Sequence, residues 1–266
     1  MNVALCYSGQ IGPFNKVLKM QKKSLIKKNW DVFLYTSQLV SQKVNKTPNY
    51  KPVSEIYKYF PASTKYRPQG WSDIIYKISK DDISKSLLPL ASQIKDSFIE
   101  NESIEDSLLD HNLTKWEWLK KRQLRKMYNC NRLRVKYEEK NNLNYDVVVR
   151  SRFDIETIPV DVEKIYTESD NSENKIFLFG GWPCTPPMVF MDEFICDGFA
   201  FGSPETMDKF CSLFLKENAY LYQEKYKENW EKFGDNVEYQ LKRHLEANNV
   251  EIEYIGKKRS MYHIWR

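Results

Sequence analysis

The sequence is poor in the residues that build loops, metal centres and membrane spans. Its 266 residues include 9 glycines, 11 prolines, 5 cysteines and 3 histidines. So little glycine and proline excludes a collagen-like or low-complexity chain. Cys6, Cys130, Cys184, Cys196 and Cys211 are widely spaced, odd in number and form no Cys-x-x-Cys pair. That argues against structural zinc and a disulfide framework, and for reduced thiols. The only histidines are His111, His244 and His263, too few for multi-histidine metal chemistry but no bar to a carboxylate site. No run approaches the ~20 apolar residues of a membrane-spanning helix. The opening Met1 to Gly12 has neither a basic start nor an apolar stretch with a small-residue cleavage site. A cytoplasmic protein without signal peptide or membrane anchor is therefore expected.

What is present suits a globular fold: 41% hydrophobic, 14% aromatic and 29% charged residues, in a length that fits one large domain or two small ones. The net charge of +5 conceals an asymmetry. Residues 1–144 hold 26 basic and 14 acidic residues, whereas residues 145–266 hold 15 and 22. Lys115 to Lys136 contains nine basic residues against Glu117 alone. A basic half beside an acidic half suits an anionic ligand on the first. The plainer expectation for most of these lysines is the solvated face of a long amphipathic helix.

Asn2 to Tyr7 is a short apolar run closed by Ser8-Gly9, which predicts a buried strand and a turn. Residues 14–28 space Phe14, Val17, Leu18 and Leu25 as an amphipathic helix, and Asp31 to Thr36 is a second strand. Strand, turn, helix and strand make a parallel βαβ unit with a right-handed crossover. Residues 41–75, rich in Pro, Lys, Tyr and Ser, predict an irregular insertion with short helices. Residues 80–110 predict one or two surface helices, and 115–141 a long helix broken near Asn129 to Asn131. Tyr145 to Arg150 and Lys175 to Phe179 predict strands, with a proline-rich loop over 182–191. Then come a strand at Gly198 to Phe201, a helix at 204–216 capped by Ser203, a helix at 236–248 and a last strand at 251–255. The alternation predicts a single α/β domain over 1–266, its mixed, mostly parallel sheet flanked by helices.

Ligands of open α/β sheets bind at the carboxyl ends of the strands. Two such ends carry polar groups here. Ser8-Gly9-Gln10 offers a close backbone approach and two hydrogen-bonding side chains. Arg150-Ser-Arg152-Phe-Asp154 follows the valine-rich strand. Alternation along extended chain predicts Arg150, Arg152 and Asp154 on one side, where they either pair with one another or bind an anion and a cation.

Val-Val-Val-Arg-Ser-Arg-Phe-Asp, after a helix with Tyr128 and Asn131, resembles the metal-site strand of GT-A-fold nucleotide-sugar glycosyltransferases. Ile195 to Met207 (Ile-Cys-Asp-Gly-Phe-Ala-Phe-Gly-Ser-Pro-Glu-Thr-Met) is similar to their acceptor-side strand and helix, and Gly234 to Leu241 to a later segment with an acid at a helix start. Together these blocks resemble small soluble enzymes of large algal viruses and of bacterial surface-polysaccharide pathways. The resemblance implies a GT-A-like, Rossmann-like fold with a nucleotide-binding half at 1–154 and an acceptor-binding half at 155–266. It implies nucleotide-sugar contacts from Ser8, Gly9, Gln10, Tyr128, Asn131, Arg150 and Arg152. It also implies Mn2+ or Mg2+ held by Asp154, with His263 as a further ligand. The usual Asp-x-Asp reads Arg152-Phe-Asp154 here, so Arg152 is itself a candidate for the positive charge on a diphosphate.

The activity implied is transfer of a sugar from a nucleoside diphosphate, such as UDP, to a glycan hydroxyl, inverting in stereochemistry. The proton of that hydroxyl needs a carboxylate base. Asp197 and Glu238 are the candidates, with Asp192 and Glu193 behind them; the family's helix-start acid would align with Asn236, which cannot serve. Trp182 offers an aromatic wall for a sugar ring. The rival readings are a nucleic-acid-binding protein using helix 115–136, and a nucleotide-sugar-binding module without turnover. A methyltransferase is disfavoured, because Ser8-Gly9-Gln10-Ile11-Gly12 is a poor Gly-x-Gly-x-Gly loop.

Overall fold

Val-Ala-Leu-Cys-Tyr, apolar at every position, suits a strand covered on both faces. It forms β1 (Val3–Gly9), buried along most of its length. The computed structural model describes residues 1–11, 14–43, 73–77, 79–101, 115–157, 159–180, 195–216, 237–255 and 262–264. Around β1 lie β2 (Asp31–Ser37), β5 (Ile94–Glu100), β6 (Val147–Ser151), β8 (Lys175–Gly180), β9 (Ile195–Gly202) and β10 (Glu251–Tyr254), in the order β10-β8-β9-β6-β1-β2-β5. Strand β9 is antiparallel to both its neighbours; every other pairing is parallel. This is the expected α/β architecture, and strands from both halves of the chain share one sheet through the β6–β9 pairing.

Side-chain alternation divides the core between the two faces. Val3, Leu5 and Tyr7 face helix α1 (Phe14–Ser24) and pack with Leu18, Leu25, Val147 and Val149. Ala4 and Cys6 face the other way, with Leu124, Met127 and Cys130 of the long helix α3 (Lys115–Asn141). The helices α5 (Pro204–Cys211), α6 (Leu213–Lys216) and α7 (Val237–Ala247) complete that second layer through Met207, Phe210, Leu213, Leu241 and Leu245.

Local chemistry sets the helix ends. Ser203 caps α5 by accepting the Thr206 amide at 3.1 Å, with Pro204 in the first turn. Helices α3 and α7 both stop at an asparagine of positive φ, Asn142 and Asn249. In each, the next amide reaches back five residues, Leu143 to Glu138 and Val250 to Leu245, which satisfies carbonyls left open at the helix end.

Three expectations are corrected. Helix α3 is continuous through Asn129 to Asn131. Residues 94–100, expected as surface helix, are edge strand β5; its mixed polar and apolar residues suit a half-exposed position beside β2. Only Lys80–Leu87 of that stretch forms the expected helix, α2. Within the expected irregular insertion, β3 (Leu39–Lys43) and β4 (Asp73–Lys77) pair antiparallel. The strands β7 (Ile155–Thr157) and β11 (Tyr262–Ile264), a separate antiparallel pair, and helix α4 (Val162–Glu168) had no sequence signal. No described helix is long and apolar enough to cross a membrane.

Gly202 pairs with Val148 on one side and Ile176 on the other. A Cβ there would lie 2.8 Å from the Lys175 carbonyl oxygen. Gly202→Ala is therefore expected to force β8 and β9 apart and to cost roughly 1–3 kcal/mol, measured as a lower urea midpoint. A midpoint equal to wild type would mean the sheet yields freely at this point.

Candidate active site at the carboxyl ends of the central strands

The two polar strand ends read from the sequence are neighbours. β1 and β6 pair in parallel with Cys6 opposite Arg150 and Tyr7 opposite Ser151. Strands β2 and β5 lie to one side of β1, and β6, β9, β8 and β10 to the other. The strand order thus reverses between β1 and β6, where an open α/β sheet presents its ligand crevice.

A buried polar clamp fixes the floor. The Gln21 side chain accepts the Tyr7 hydroxyl hydrogen, and its amide donates to the Ile155 carbonyl and, at 3.2 Å, to Ser151 Oγ. Burial pushes the Tyr7 pKa up, so its phenol remains a donor. Phe153 stacks on Tyr7 at 5.3 Å. At the β1 end the Gly9 carbonyl accepts from Thr36 Oγ1 at 2.8 Å. Gly9 has φ +125°, a conformation that disfavours side chains. Among the described residues nothing lies within 4 Å of its Cβ position, so the space beside this bend is open. Ser8 is 1% exposed, and its hydroxyl has no hydrogen-bond partner among the described residues. Gln10 beside it is half-buried.

The charged triplet straddles the end of β6. Strand β6 ends at Ser151, and Ser151 and Phe153 both turn to the α1 side, to Gln21 and Tyr7. Arg150 is 1% exposed and lies in the helical layer, where its charge acts on the Cys130 and Cys211 thiols. Arg152 and Asp154 instead face each other across a turn, with Nε to Oδ1 at 2.8 Å and Nη2 to Oδ2 at 2.6 Å. Arg152 also reaches Asp197, which Gln123 of α3 bonds, so Arg150 and Arg152 share the α3 side as alternation predicts. Asp154 pairs with the Arg152 charge. Both oxygens of Asp154 are held by the guanidinium, a poor fit to a metal ligand. Among the described residues no group of three His, Cys, Asp or Glu side chains could hold a metal ion. The β7–β11 register sets the backbone of His263 opposite Glu156, two residues beyond Asp154.

Asp197 joins the site because β9 runs backwards, so its first residues lie beside the ends of the other strands. The Arg152 amide bonds the Gly198 carbonyl at 3.0 Å. The Asp197 carboxylate accepts from Gln123 of α3 and lies 3.5 Å from Arg152 Nη1. Glu238 sits in the first turn of α7, the helix that packs on the same layer through Leu241 and Leu245.

Tyr128 and Asn131 point elsewhere. The Tyr128 ring lies 6.0 Å from that of Phe214. Asn131 donates to Asp208 at 2.6 Å and accepts from Arg134 at 3.1 Å, which makes both residues ties between helices. The long helix contributes instead its earlier turns, which sequence reasoning passed over. Arg122 Nη2 is 3.0 Å from Ser37 Oγ at the β2 end, and Lys126 Nζ also bonds that hydroxyl. Arg125 pairs with Glu100 at 3.1 Å at the β5 end, and Tyr35 donates to the same carboxylate at 2.8 Å. The helix thus crosses the strand ends, from Ser37 under Arg122 to Asp197 beside Gln123. Lys120, Arg122, Lys126 and Arg134 are buried, against the expectation of a solvated basic face. The signal was the i, i+4 spacing of Arg122 and Lys126 inside the basic run. Trp182, Asp192, Glu193, Asn236 and His111 lie outside the described residues.

The chain matches no protein-family model, and no curated protein sequence matches it.

Proposed function

We propose that the protein is a glycosyltransferase, moving a sugar from a nucleoside diphosphate to a glycan hydroxyl. The observation that carries this reading is the meeting of the Ser8-Gly9 bend with the Arg152/Asp154/Asp197 cluster at the reversal point of the sheet, beneath buried cations of α3. Such a crevice suits an anionic nucleotide. The resemblance of the sequence blocks to GT-A enzymes of surface-polysaccharide and viral glycan synthesis supports the same reading, and the setting we propose for it is cytoplasmic, with reduced thiols. Cys6, Cys130 and Cys211 are free and buried.

In the reaction, the bond between the anomeric carbon and the β-phosphate oxygen breaks, and a bond to the acceptor oxygen forms. The hydroxyl proton passes to a carboxylate, and the nucleoside diphosphate departs with an added negative charge. Asp197 is the base that best fits. It stands at the strand ends, and its contacts with Gln123 and Arg152 fix its orientation.

A nucleic-acid-binding role finds less support. A polyanion needs displayed cations, and Lys120, Arg122, Lys126 and Arg134 are buried.

A thermal-shift screen of nucleotide sugars tests the proposal. A donor at 100 times its Kd should add ~2.7 kcal/mol of stability, and the stabilising donor should be consumed in the presence of glycan. No shift with any nucleotide sugar would end the reading. A shift without turnover on any acceptor or water would leave a binding module.

A further inference from the structure

One side chain of α1 holds both ends of the turn that carries Arg152 and Asp154. Strand β6 ends at Ser151 and β7 starts at Ile155, so residues 152–154 are the whole connection between them. The Gln21 amide donates to Ser151 Oγ at 3.2 Å, before the turn, and to the Ile155 carbonyl, after it. A primary amide has two hydrogens to give, and these two bonds use both. The Gln21 oxygen accepts the Tyr7 hydroxyl of β1, so the tether is itself anchored on the central strand. Gln21, Ser151 and Tyr7 are all fully buried, where water does not compete for these bonds.

Phe153 adds an apolar contact on that side, stacked on Tyr7 at 5.3 Å. The inner side of the turn is thus fastened at residues 151, 153 and 155. Its other side carries the charges. Arg152 grips Asp154 through Nε at 2.8 Å and Nη2 at 2.6 Å, and its Nη1 stands 3.5 Å from Asp197. Strand β9 holds the turn through the Arg152 amide on the Gly198 carbonyl at 3.0 Å. Where Arg152 stands relative to Asp197 therefore depends on where the turn stands, and Gln21 fixes the turn from the α1 side. The layer between α1 and the sheet is otherwise largely apolar, with Leu18, Leu25, Val147 and Val149. An aliphatic side chain in place of Gln21 would suit that layer and leave the turn untethered.

We propose that Gln21 is a positioning residue of the transfer site: it sets the 152–154 turn and, through that turn, the Arg152 guanidinium beside the Asp197 carboxylate. This rests on the glycosyltransferase reading and adds to it a residue from the opposite layer to α3. Asp197 is then held from both layers, by Gln123 of α3 directly and by Gln21 of α1 through the turn.

The test is sugar transfer by the full chain, with the donor found in the thermal screen, comparing Gln21→Met in the wild-type background and in Arg152→Lys. Single-turnover rates with the enzyme in excess keep slow variants measurable. Methionine keeps the length of the side chain but has no hydrogen to donate. A small displacement of a catalytic group should lower the transfer rate by about 10- to 100-fold, with donor affinity within about twofold of wild type. Arg152→Lys keeps the charge and loses the two-pronged hold on Asp154, so in that background Gln21→Met should cost no more than about twofold further. Stability falls in either background, because the buried Ile155 carbonyl loses this donor; only a positioning role makes the loss of rate depend on Arg152. An equal loss in both backgrounds, or none in the wild type, would overturn the proposal and leave the glycosyltransferase reading standing. An unaltered chain that transfers from no nucleotide sugar would overturn that reading, and the proposal with it. Ser151→Ala removes one arm of the tether without adding bulk, and gives the same two-background comparison where Gln21→Met does not fold.

Discussion

Asp197→Asn is expected to reduce sugar transfer by about 10²–10⁴-fold, the contribution of one positioned general base. The substitution keeps the shape of the side chain and one oxygen to accept from Gln123, so nucleotide affinity and the melting temperature should stay near wild type. The loss should fall on kcat, because a base acts on the acceptor hydroxyl in the transition state and not on the bound donor. Asp197 is buried and sits one residue from Gly198, whose carbonyl ties β9 to Arg152. Steady-state transfer with the donor found in the thermal screen, at saturating acceptor, gives the measurement. A kcat within tenfold of wild type would move the base to another carboxylate, Glu238 first. Glu238→Gln is the paired control, and with Asp197 as base it should retain most activity.

Arg134→Met is expected to produce the largest loss of stability, about 3–5 kcal/mol. Arg134 is 1% exposed and joins Glu138 on its own helix to Asp208 on α5, while Asn131 accepts from its Nε. The methionine fills much of the same volume, so the cost lies in the charge left behind. Asp208 is half exposed and is served by water once Arg134 is gone, but Glu138 is not. Burial already pushes the Glu138 carboxyl above its ordinary value of 4.5, and Arg134 opposes that rise. Removing the guanidinium raises it further. A carboxyl whose folded pKa is raised keeps its stability below the unfolded pKa and loses it as pH rises through the folded value. The variant should therefore be weakest at pH 7 and recover part of its deficit at pH 5, in urea denaturation at both pH values. An equal deficit at the two would mean that the loss comes from packing alone.

The sequence determined the architecture and marked two polar strand ends. The all-apolar run of β1, the valine-rich run of β6 and the periodic spacing of α1 dictate buried strands and covering helices, because each pattern buries its apolar surface in only one type of element. Ser8-Gly9 and the Arg-Ser-Arg-Phe-Asp stretch were visible as polar groups at strand ends for the same local reason. The tertiary structure decided what those groups do. Adjacency of β1 and β6 comes from strand order, which no local pattern encodes. The reversed direction of β9 brings Asp197 to Arg152 from 45 residues away in the chain. Past the end of β6 at Ser151 the chain turns, and Arg152, still on the α3 side, closes onto Asp154. The lysines and arginines of α3 look alike in sequence. Which of them are buried over the strand ends and which meet water depends on the rotation of the helix on the sheet, and that rotation is set by Leu124, Met127 and Cys130 packing on Ala4, Cys6 and Phe33. Tyr128 and Asn131 sit on another side of the same helix, so that one packing choice made them ties to α5 and α6 and set Arg122, Gln123 and Lys126 against Ser37 and Asp197 at the strand ends.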